Sequence, residues 1–247
     1  MKTTLITGAT SGIGMATAKL FAAKGHKLIL CGRRRERLAE LKKELNTEVH
    51  TLTFDVRNRE DVFKAIESIP SEFKNIDVLL NNAGNAHGLS TIQDGNMDDW
   101  DAMMDGNVKG LLYVTKAILP GMIERNSGFI VNIGSVAAKE VYPNGNVYCA
   151  SKHAVDALSK SMRIDLAGYN IRVSAIHPGA VETEFSEVRF KGDKEKAAGV
   201  YQGFDALQAQ DIAETIDFIT SRPPHVNIED VVIYPTAQAN TTTLTRK

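Results

Sequence analysis

Short apolar runs rich in β-branched residues alternate along this chain with longer amphipathic segments, and this alternation constrains the fold more than any other feature. The pattern predicts strands over residues 3–7, 27–31, 49–54, 78–80, 129–133, 171–176 and 231–234. Segments with helical periodicity lie between the first six, at 13–24, 34–45, 59–69, 97–125 and 147–167, and the segment 97–125 is expected to hold more than one helix. This order predicts an α/β chain with a doubly wound parallel sheet and helices on both faces.

Length and composition narrow the class of protein. The chain has 247 residues, of which 43% are hydrophobic and 24% charged, and its formal net charge is -1. This balance is typical of a globular protein, and we expect residues 1–247 to form a single domain. A nearly neutral chain is not expected to bind nucleic acid or an anionic membrane, and no apolar run is long enough to span a bilayer.

The cysteine content and the first residues predict the compartment. Only Cys31 and Cys149 are present, far apart in the sequence, so neither a disulfide nor a metal site is expected. Cys149 is expected to be a small packed side chain. The first residues read as a short strand and not as an export signal, which leads us to expect a cytoplasmic protein.

One long segment, 179–208, has little periodicity. It contains Gly192, Gly199 and Gly203 among many charged residues. A segment of this length without regular structure inside a compact domain is usually functional, so we predict a lid over a substrate site. Residues 211–221 then predict a further helix, which the two prolines at 223 and 224 end.

A glycine-rich turn follows the first predicted strand and precedes a helix. It reads Thr7-Gly8-Ala9-Thr10-Ser11-Gly12-Ile13-Gly14. Such a turn can hold the pyrophosphate of a dinucleotide, because missing side chains let the backbone approach and the helix N-terminus offers free N–H groups. The spacing G-x-x-x-G-x-G differs from the general dinucleotide motif, and a tight turn without a ligand is the alternative. With the predicted sheet, the turn indicates a Rossmann-like fold.

The end of the second predicted strand favours NADP(H) over NAD(H) as the cofactor. It reads Leu30-Cys31-Gly32-Arg33-Arg34-Arg35, without the carboxylate that binds the ribose 2′-hydroxyl in NAD-preferring proteins. A carboxylate there would repel a 2′-phosphate, whereas arginine can bind one through two parallel hydrogen bonds. We therefore predict that Arg33 or Arg34 contacts the 2′-phosphate. The alternative is that these arginines only begin a solvated helix.

Three side chains could supply proton chemistry. Tyr148 and Lys152 are four residues apart on a predicted helix and therefore share one face. A free phenol has a pKa of about 10. One cation about 4 Å away contributes on the order of 4 kcal/mol at an effective dielectric constant of about 20, and this attraction favours the phenolate. Ser135 follows the strand at 129–133, where its hydroxyl could bind the substrate oxygen. Each residue alone has a structural alternative, so the prediction depends on the set.

Taken together, the motifs resemble the short-chain dehydrogenase/reductase family along the whole chain. Besides the glycine turn, the sequence contains Asn81-Asn82-Ala83-Gly84 after the fourth strand, Gly106-Asn107-Val108, Ser135, Tyr148-Cys149-Ala150-Ser151-Lys152, and Pro178-Gly179 with Thr183 shortly after. These motifs occur in the order that the family has. No catalytic position is replaced, so we expect an active enzyme and not an inactive relative.

The resemblance implies a role for each matched residue. Tyr148 would be the proton donor or acceptor, and Lys152 would lower the pKa of its phenol and bind the nicotinamide ribose. Ser135 would orient the substrate, and Asn107 would bend its helix and hold a water of the proton relay. The remaining implied cofactor contacts are Asp55 at the adenine with Val56 beside it, Asn82, Ala83 and Gly84 near the adenosine, and Pro178, Gly179, Val181 and Thr183 along the nicotinamide.

Within that family, the C-terminal part resembles the NADP-dependent dehydrogenases of 3-hydroxy acids. The similarity lies in residues 178–190, in Lys191-Gly192-Asp193 and in His225-Val226-Asn227-Ile228. It implies hydride transfer between NADP(H) and the 3-hydroxyl carbon of a small acid such as serine, L-allo-threonine or 3-hydroxypropionate. Ser135 and Tyr148 would then contact the substrate oxygen.

A substrate carboxylate in a partly buried site needs a cation. Arg189 is the candidate for this role, and Lys191 is the second choice. The alternative is that Arg189 forms an ion pair with Glu184 or Glu187 on the surface of the lid.

Other functions stay open at this stage. A reductase of 3-oxoacyl groups or of a broader set of carbonyls would use the same proton chemistry, and a carrier-protein partner would need a basic rim such as Lys191, Lys194 and Lys196, which alternate with acidic residues. A regulator that binds NADPH without turnover would not need the full catalytic set. His177 lies close to the site, but we expect it to be structural.

The resemblance also implies an assembly. Members of the family are usually dimers or tetramers, and we expect a homotetramer that pairs through the helices within 97–125 and 147–167. The sequence leaves open whether the polar, threonine-rich tail 238–247 is ordered, with disorder and a crossing to a neighbouring subunit as alternatives.

Overall fold

A computed structural model describes residues 1–247 and contains two sheets. The strands in chain order are β1 (Thr3–Thr7), β2 (Lys27–Gly32), β3 (Val49–Thr53), β4 (Val78–Asn81), β5 (Gly128–Ile133), β6 (Ile171–Pro178), β7 (Val181–Glu182), β8 (Leu207–Gln208) and β9 (Asp230–Ile233). Seven of them form one parallel sheet, and β7 pairs with β8 in a separate two-stranded sheet. All seven strands predicted from the apolar runs are present, with ends that differ by one or two residues.

Seven of the nine α-helices occupy segments that the sequence predicts to be helical, and the other two lie in the segment 179–208. The nine α-helices in chain order are α1 (Gly12–Ala23), α2 (Arg35–Glu44), α3 (Arg59–Glu67), α4 (Met97–Met104), α5 (Gly110–Glu124), α6 (Asn146–Leu166), α7 (Phe185–Arg189), α8 (Lys194–Gly199) and α9 (Ala209–Thr220). A π-helical stretch, Asp105–Lys109, separates α4 from α5, so the prediction of more than one helix within 97–125 is confirmed. None of these helices combines the length and the apolarity that crossing a membrane requires.

The strand order of the large sheet fixes where a ligand can bind. That order is β3-β2-β1-β4-β5-β6-β9, and every neighbouring pair is parallel. The chain runs outward from β1 in one direction to β3, then returns to the other side of β1 to form β4. Loops after β1 and β4 therefore leave the sheet on opposite sides and open a crevice at the carboxyl ends of these strands.

Two separate apolar cores confirm that helices cover both faces of the sheet. Successive side chains of a strand point to opposite faces, and in β1 both Leu5 and Ile6 are fully buried. Ile6 packs in a core formed with α1, α2 and α9, whereas Leu5 packs in a second core formed with α3, α5 and α6. This arrangement explains why the predicted strands are apolar in continuous runs.

The segment 179–208 has more regular structure than its sequence predicts. It contains β7, α7, α8 and β8, and Asp193 caps α8 by accepting a hydrogen bond from the backbone N–H of Lys196. These elements are only two to six residues long. Elements this short contain too few repeats for a period to be recognised in the sequence.

A chain of buried amides joins the centre of the sheet to two helices. The Asn81 Nδ2 group donates hydrogen bonds of 2.9 Å to Thr115 Oγ1 on α5 and of 2.9 Å to Asn132 Oδ1 on β5. The Asn132 Nδ2 group in turn donates to Ser159 Oγ on α6 at 2.9 Å. Because unpaired buried amides are costly, this chain fixes α6, the helix of the predicted catalytic pair, against β4 and β5.

The first turn of α1 packs against the end of β1 without room for a side chain. A Cβ atom added at Gly14 would lie 2.5 Å from the Gly8 carbonyl oxygen and 2.6 Å from the Asn82 side-chain nitrogen. Both neighbours are held in place, because the Asn82 Nδ2 group donates to the Thr7 and Gly8 carbonyls at 2.9 and 3.2 Å. The helix therefore approaches the strand ends as closely as its backbone allows.

We expect Gly14→Ala to lower the free energy of unfolding by about 1–3 kcal/mol, because the added methyl group overpacks this contact. Urea denaturation followed by circular dichroism measures the change. Gly168→Ala is the matched control, since a Cβ at Gly168 meets no atom within 4 Å. Equal stability of the two variants would contradict the close packing of α1 on the turn.

Candidate active site

One cavity of about 600 Å³ opens at the carboxyl ends of the strands. It extends from the glycine turn to the loops after β5 and β6 and to the segment 179–208. The predicted site residues that line it are Gly8, Thr10, Ser11, Gly12, Ile13, Arg33, Arg34, Asp55, Val56, Asn82, Ala83, Gly84, Ser135, Tyr148, Lys152, Pro178, Gly179, Val181, Thr183 and Arg189. Gly14 and Asn107 do not line it: Gly14 packs beneath the turn, and Asn107 lies behind the cavity wall.

Contacts between β1 and the loop after β4 hold the glycine turn in shape. The Thr7 hydroxyl accepts hydrogen bonds of 3.0 Å from the backbone N–H groups of Asn82 and Ala83. Gly8 has a φ of +65°, and a Cβ there would lie 2.9 Å from the Asn82 side-chain nitrogen. Glycine is therefore required at this position for its backbone conformation and for space.

The N-terminus of α1 faces the cavity without a side-chain cap. Ser11 is the N-cap residue, but its side chain makes no capping hydrogen bond. Its hydroxyl instead accepts a hydrogen bond of 2.8 Å from the Arg34 guanidinium. The free N–H groups and the positive end of the dipole of this helix can bind an anion, and they fit the pyrophosphate of a dinucleotide.

Arg34 lies between the glycine turn and the segment after β7. Its Nε and Nη2 atoms donate to the Thr10 hydroxyl at 3.0 and 2.8 Å, and its Nη1 atom donates to a Glu184 carboxylate oxygen at 2.8 Å. Arg37 donates to both oxygens of the same carboxylate, at 2.7 and 3.0 Å. Arg33 is more exposed, and its nearest carboxylate, that of Asp55, is 3.7 Å away. Of the two predicted arginines, Arg34 is thus the one held against the turn.

The alternative in which Arg189 pairs with Glu184 or Glu187 on the lid surface is wrong. Glu184 binds Arg34 and Arg37, and Arg189 forms no ion pair. Burial alone would raise the pKa of the Glu184 carboxyl, but hydrogen bonds from Arg34 and Arg37 outweigh burial and hold this pKa below its usual value. The sequence contains no signal for this pairing, because Glu184 lies 150 residues beyond Arg34 and 147 beyond Arg37.

Tyr148 and Lys152 lie on one face of α6 and are both buried at the inner end of the cavity. The Lys152 Nζ atom lies 5.9 Å from the centre of the Tyr148 ring and donates a hydrogen bond of 2.9 Å to the Ile133 carbonyl. Burial lowers the pKa of the Lys152 ammonium to about 8. The predicted pair is therefore brought together, but the ammonium binds a backbone carbonyl and not the phenol.

The phenol of Tyr148 is held in its protonated form. Burial raises its pKa well above the ordinary value, and the nearby phenol of Tyr142 adds to this effect. The hydroxyl of Ser135 and the guanidinium of Arg189 act in the opposite direction, but they do not cancel the effect of burial. A protonated phenol can donate a proton to a carbonyl oxygen, whereas the reverse reaction needs added positive charge nearby.

Ser135 lies just after β5, at the mouth of the crevice. Its Oγ atom accepts a hydrogen bond of 3.1 Å from the Ala137 backbone N–H, so the hydroxyl proton can be donated to the Tyr148 oxygen or to a substrate oxygen. Behind it, the His177 Nδ1 atom lies 3.1 Å from the Ser135 carbonyl oxygen, and the buried His177 Nε2 atom faces Asp156 and Asp230 at 3.5 and 3.4 Å. His177 is therefore packed beneath the serine loop, outside the cavity lining, in the structural position that the sequence predicted.

Asn107 lies in the π-helical stretch between α4 and α5, where the helix departs from α geometry. Its Nδ2 group donates to the Asn85 carbonyl at 2.8 Å and to Ser151 Oγ at 3.0 Å, and its Oδ1 atom accepts from the Asn85 N–H at 2.8 Å. Both side-chain N–H groups therefore have protein acceptors. The relay water implied by the family resemblance would have to bind at a carbonyl oxygen.

Arg189, at the end of α7, points into the cavity next to the phenols. Its Nη2 atom donates to the Tyr142 hydroxyl at 3.0 Å, its Nε atom donates to the Gly88 carbonyl at 3.3 Å, and its guanidinium carbon lies 5.7 Å from the centre of the Tyr148 ring. It forms no ion pair, because Glu184 binds Arg34 and Arg37. Lys191, the second choice, forms a 2.9 Å ion pair with Asp99.

The C-terminal tail covers part of the cavity and was not predicted to do so. Gln238 pairs with Leu244 in an antiparallel bridge, and the Gln238 Oε1 atom accepts a hydrogen bond of 2.9 Å from the Ala180 N–H. Arg246 donates to the Val200 carbonyl at 3.0 Å. The tail thus folds back on its own chain, with defined contacts in place of the disorder that its sequence left open, whereas crossing to a neighbouring subunit stays a prediction. A polar, threonine-rich sequence has no periodicity that could predict these contacts.

Comparisons with known proteins agree with this geometry. The model of the short chain dehydrogenase family matches residues 2–194. The NADP-dependent 3-hydroxy acid dehydrogenase YdfG of Salmonella typhi is 48% identical over 236 residues, which are 95% of each chain. Sulfoacetaldehyde reductase 2 of Chromohalobacter salexigens is 45% identical over 238 residues, which are 95% of this chain and 94% of the relative.

A solved structure is similar over almost the whole molecule. The closed form of a serine dehydrogenase complexed with NADP+ superposes with a TM-score of 0.95, at 45% sequence identity, and the match covers 99% of both chains. The family model spans most of the sequence, and relatives nearly half identical extend over almost all of it. This chain therefore belongs to the short chain dehydrogenase family.

Proposed function

We propose that this protein transfers a hydride between NADP(H) and the 3-hydroxyl carbon of a small 3-hydroxy acid. The observation that supports the substrate class is the half-buried guanidinium of Arg189, which has no carboxylate partner and lies beside the phenol of Tyr148. A cation in that position fits a short substrate with its anionic group a few bonds from the reacting carbon.

The cofactor assignment is supported by the fit of the residues around the glycine turn. The uncapped N-terminus of α1 suits the pyrophosphate, and Arg34 offers a guanidinium for a 2′-phosphate. No carboxylate stands at the end of β2, where one would favour NAD(H). When bound, NADP(H) supplies or accepts the hydride. The similar 3-hydroxy acid dehydrogenase and serine dehydrogenase are described with NADP, which agrees with this choice.

The protein's own residues would handle the proton. In reduction, the protonated phenol of Tyr148 donates to the substrate oxygen, and the hydroxyl of Ser135 donates a hydrogen bond that stabilises the negative charge that develops there. In oxidation, the phenol has to lose its proton first. Lys152, whose ammonium is buried 5.9 Å from the ring, would stabilise the phenolate by direct charge attraction.

The relatives extend the range of acids to test. Serine and other 3-hydroxy acids carry a carboxylate, and sulfoacetaldehyde carries a sulfonate at a similar distance from its carbonyl. A guanidinium binds either group through parallel hydrogen bonds. We therefore propose a short anion of either kind as the substrate, with the carboxylate as the first choice.

The three other functions have less support. A carrier protein that presents 3-oxoacyl groups would need a basic rim, yet Lys191 pairs with Asp99 and Lys196 pairs with Asp193 at 3.3 Å, so that most of this charge is neutralised. A regulator that binds NADPH without turnover would not need Ser135, Tyr148 and Lys152 around one cavity. A broad-specificity carbonyl reductase would not need the guanidinium of Arg189.

We also propose that residues 1–247 act as one domain, with the segment 179–208 as the substrate lid, in a cytoplasmic homotetramer. The unpaired, buried thiols of Cys31 and Cys149 suit a reducing compartment. The helices expected to pair between subunits leave apolar side chains in solvent, among them Leu112 on α5 and Ile164 on α6, which is 72% exposed. Covering these side chains in an interface would be favourable.

The central test is a spectrophotometric screen at the nicotinamide absorbance band. We expect NADP-dependent oxidation of L-serine, L-allo-threonine and 3-hydroxypropionate, and NADPH-dependent reduction of sulfoacetaldehyde if the site accepts sulfonates. Tyr148→Phe should lower kcat about 10²–10⁴-fold while NADPH binding is retained, because it removes the proton but little volume. Wild-type activity in this variant, or activity on long acyl esters alone, would refute the proposal.

The role of Arg189 has its own test. Arg189→Ala should raise KM about 10–100-fold for anionic substrates, because a charge-assisted hydrogen bond contributes about 1.5–3 kcal/mol, with little change for uncharged alcohols. Lys191→Ala removes a nearby cation that is already paired with Asp99, and it should leave KM unchanged for anionic substrates and for uncharged alcohols. Equal effects of Arg189→Ala on acids and on neutral alcohols would exclude this role.

Assembly can be measured by sedimentation equilibrium. We expect a mass four times the 27.0 kDa of one chain. Ile164→Lys should convert the tetramer to smaller species, because a buried unpaired ammonium opposes association. Phe63→Lys is the control and should stay tetrameric. Phe63 lies on α3, outside the predicted interface helices, and is 41% exposed. A wild-type monomer would contradict the proposed assembly.

A further inference from the structure

A carboxylate of the chain itself occupies the guanidinium pair nearest the glycine turn. Glu184 follows β7 and directly precedes α7, and its two oxygens accept hydrogen bonds of 2.7–3.0 Å from Arg34 and Arg37. The Arg34 atoms that do not bind this carboxylate donate to the hydroxyls of Thr10 and Ser11. Every nitrogen of the Arg34 guanidinium therefore has a protein acceptor.

A 2′-phosphate and this carboxylate need the same donors. Guanidinium groups bind carboxylate and phosphate oxygens with the same planar fork of N–H groups. Four of the five N–H groups of Arg34 have protein acceptors, and only one N–H on Nη1 has none. A phosphate that binds Arg34 through two parallel hydrogen bonds must therefore replace at least one of its present acceptors. The Glu184 side chain is the acceptor that can leave most easily, because it is an anion that would repel the phosphate and its side chain is 41% exposed.

The position of Glu184 connects the cofactor site with the substrate site. The next residue, Phe185, begins α7 and has its ring 5.8 Å from that of Tyr148. The same short helix ends at Arg189, four residues further on and on the same face, and its guanidinium carbon lies 5.7 Å from the centre of the Tyr148 ring. An ion pair at Glu184 therefore fixes the beginning of the helix that lines the substrate end of the cavity.

We propose that Glu184 is a specificity-determining residue that takes the place of the cofactor 2′-phosphate on Arg34 and Arg37 until NADP(H) displaces it. This inference rests on the proposed NADP(H) dependence. NAD(H), which has a hydroxyl at that position, leaves the ion pair intact and α7 attached to the arginines. The 2′-phosphate breaks it, so that only the phosphorylated cofactor frees α7 to adjust to the substrate.

Binding measurements test the competition without turnover. Isothermal titration calorimetry should give a Kd for NADPH and for adenosine 2′-monophosphate that is about tenfold lower in Glu184→Gln than in the wild type, because the competing anion is gone. The Kd for NADH and for adenosine 5′-monophosphate should change less than about twofold. Glu187→Gln is the matched control: it makes the same change in net charge on α7, where Glu187 is exposed and forms no ion pair.

Hydrogen exchange separates displacement of Glu184 from simple charge repulsion. In the wild type, adenosine 2′-monophosphate should speed exchange of the backbone amides of residues 184–192, whereas adenosine 5′-monophosphate should not. In Glu184→Gln, exchange there should be fast already and insensitive to either nucleotide. Tighter binding without this change in exchange would overturn the displacement, as would equal affinities of Glu184→Gln and Glu187→Gln for NADPH.

Failure of the underlying function would give a different result. If the wild type bound NADPH no more tightly than NADH, and Arg34→Gln changed neither affinity, the cofactor assignment would be wrong and the inference would be overturned with it. The wild type could instead prefer NADPH, lose that preference in Arg34→Gln and show no greater preference in Glu184→Gln. That result would support the cofactor assignment and overturn only the role of Glu184.

Discussion

The contact between the ends of β1 and β4 determines most of what this molecule can bind. Asn82 donates to the carbonyls of Thr7 and Gly8, and the Thr7 hydroxyl accepts from the loop after β4. This contact joins the loops after β1 and β4 where the strand order reverses, and it keeps the glycine turn exposed to the crevice. Gly14 completes it, because only a residue without a side chain lets α1 begin so close to the strand. The uncapped end of that helix is directed into the cavity as a result.

The other end of the cavity depends on burial. Desolvation raises the pKa of the Tyr148 phenol and lowers the pKa of the Lys152 ammonium, so burial disfavours the charged form of each. Added positive charge is needed to stabilise the phenolate, and the guanidinium of Arg189 on α7 already acts in that direction. The same guanidinium has no anionic partner within the protein. The site is therefore suited to a ligand that brings a negative group to Arg189 and an oxygen to Ser135.

Much of the fold and of the candidate site could be predicted from the sequence, because both depend on local spacing. The continuous apolar strands and the helical period predicted the parallel sheet, and the four-residue spacing predicted that Tyr148 and Lys152 share a face. The partner of the Lys152 ammonium could not be predicted, because the Ile133 carbonyl lies on another element. Short elements such as α7 and β7, and the contacts of the tail, lack the repeats from which a period is recognised.

The sequence by itself determined the order of strands and helices, the glycine turn, and which residue types stand at the strand ends, since these follow from short-range periodicity and steric limits. Only the tertiary structure decided the ion pairs that join distant parts of the chain. Glu184 binds Arg34 and Arg37 across about 150 residues of chain, and this leaves Arg189 without a carboxylate beside the phenol. A charged side chain pairs with whichever opposite charge the fold brings within a few ångströms, and for residues far apart in the sequence that distance cannot be read from their spacing along the chain.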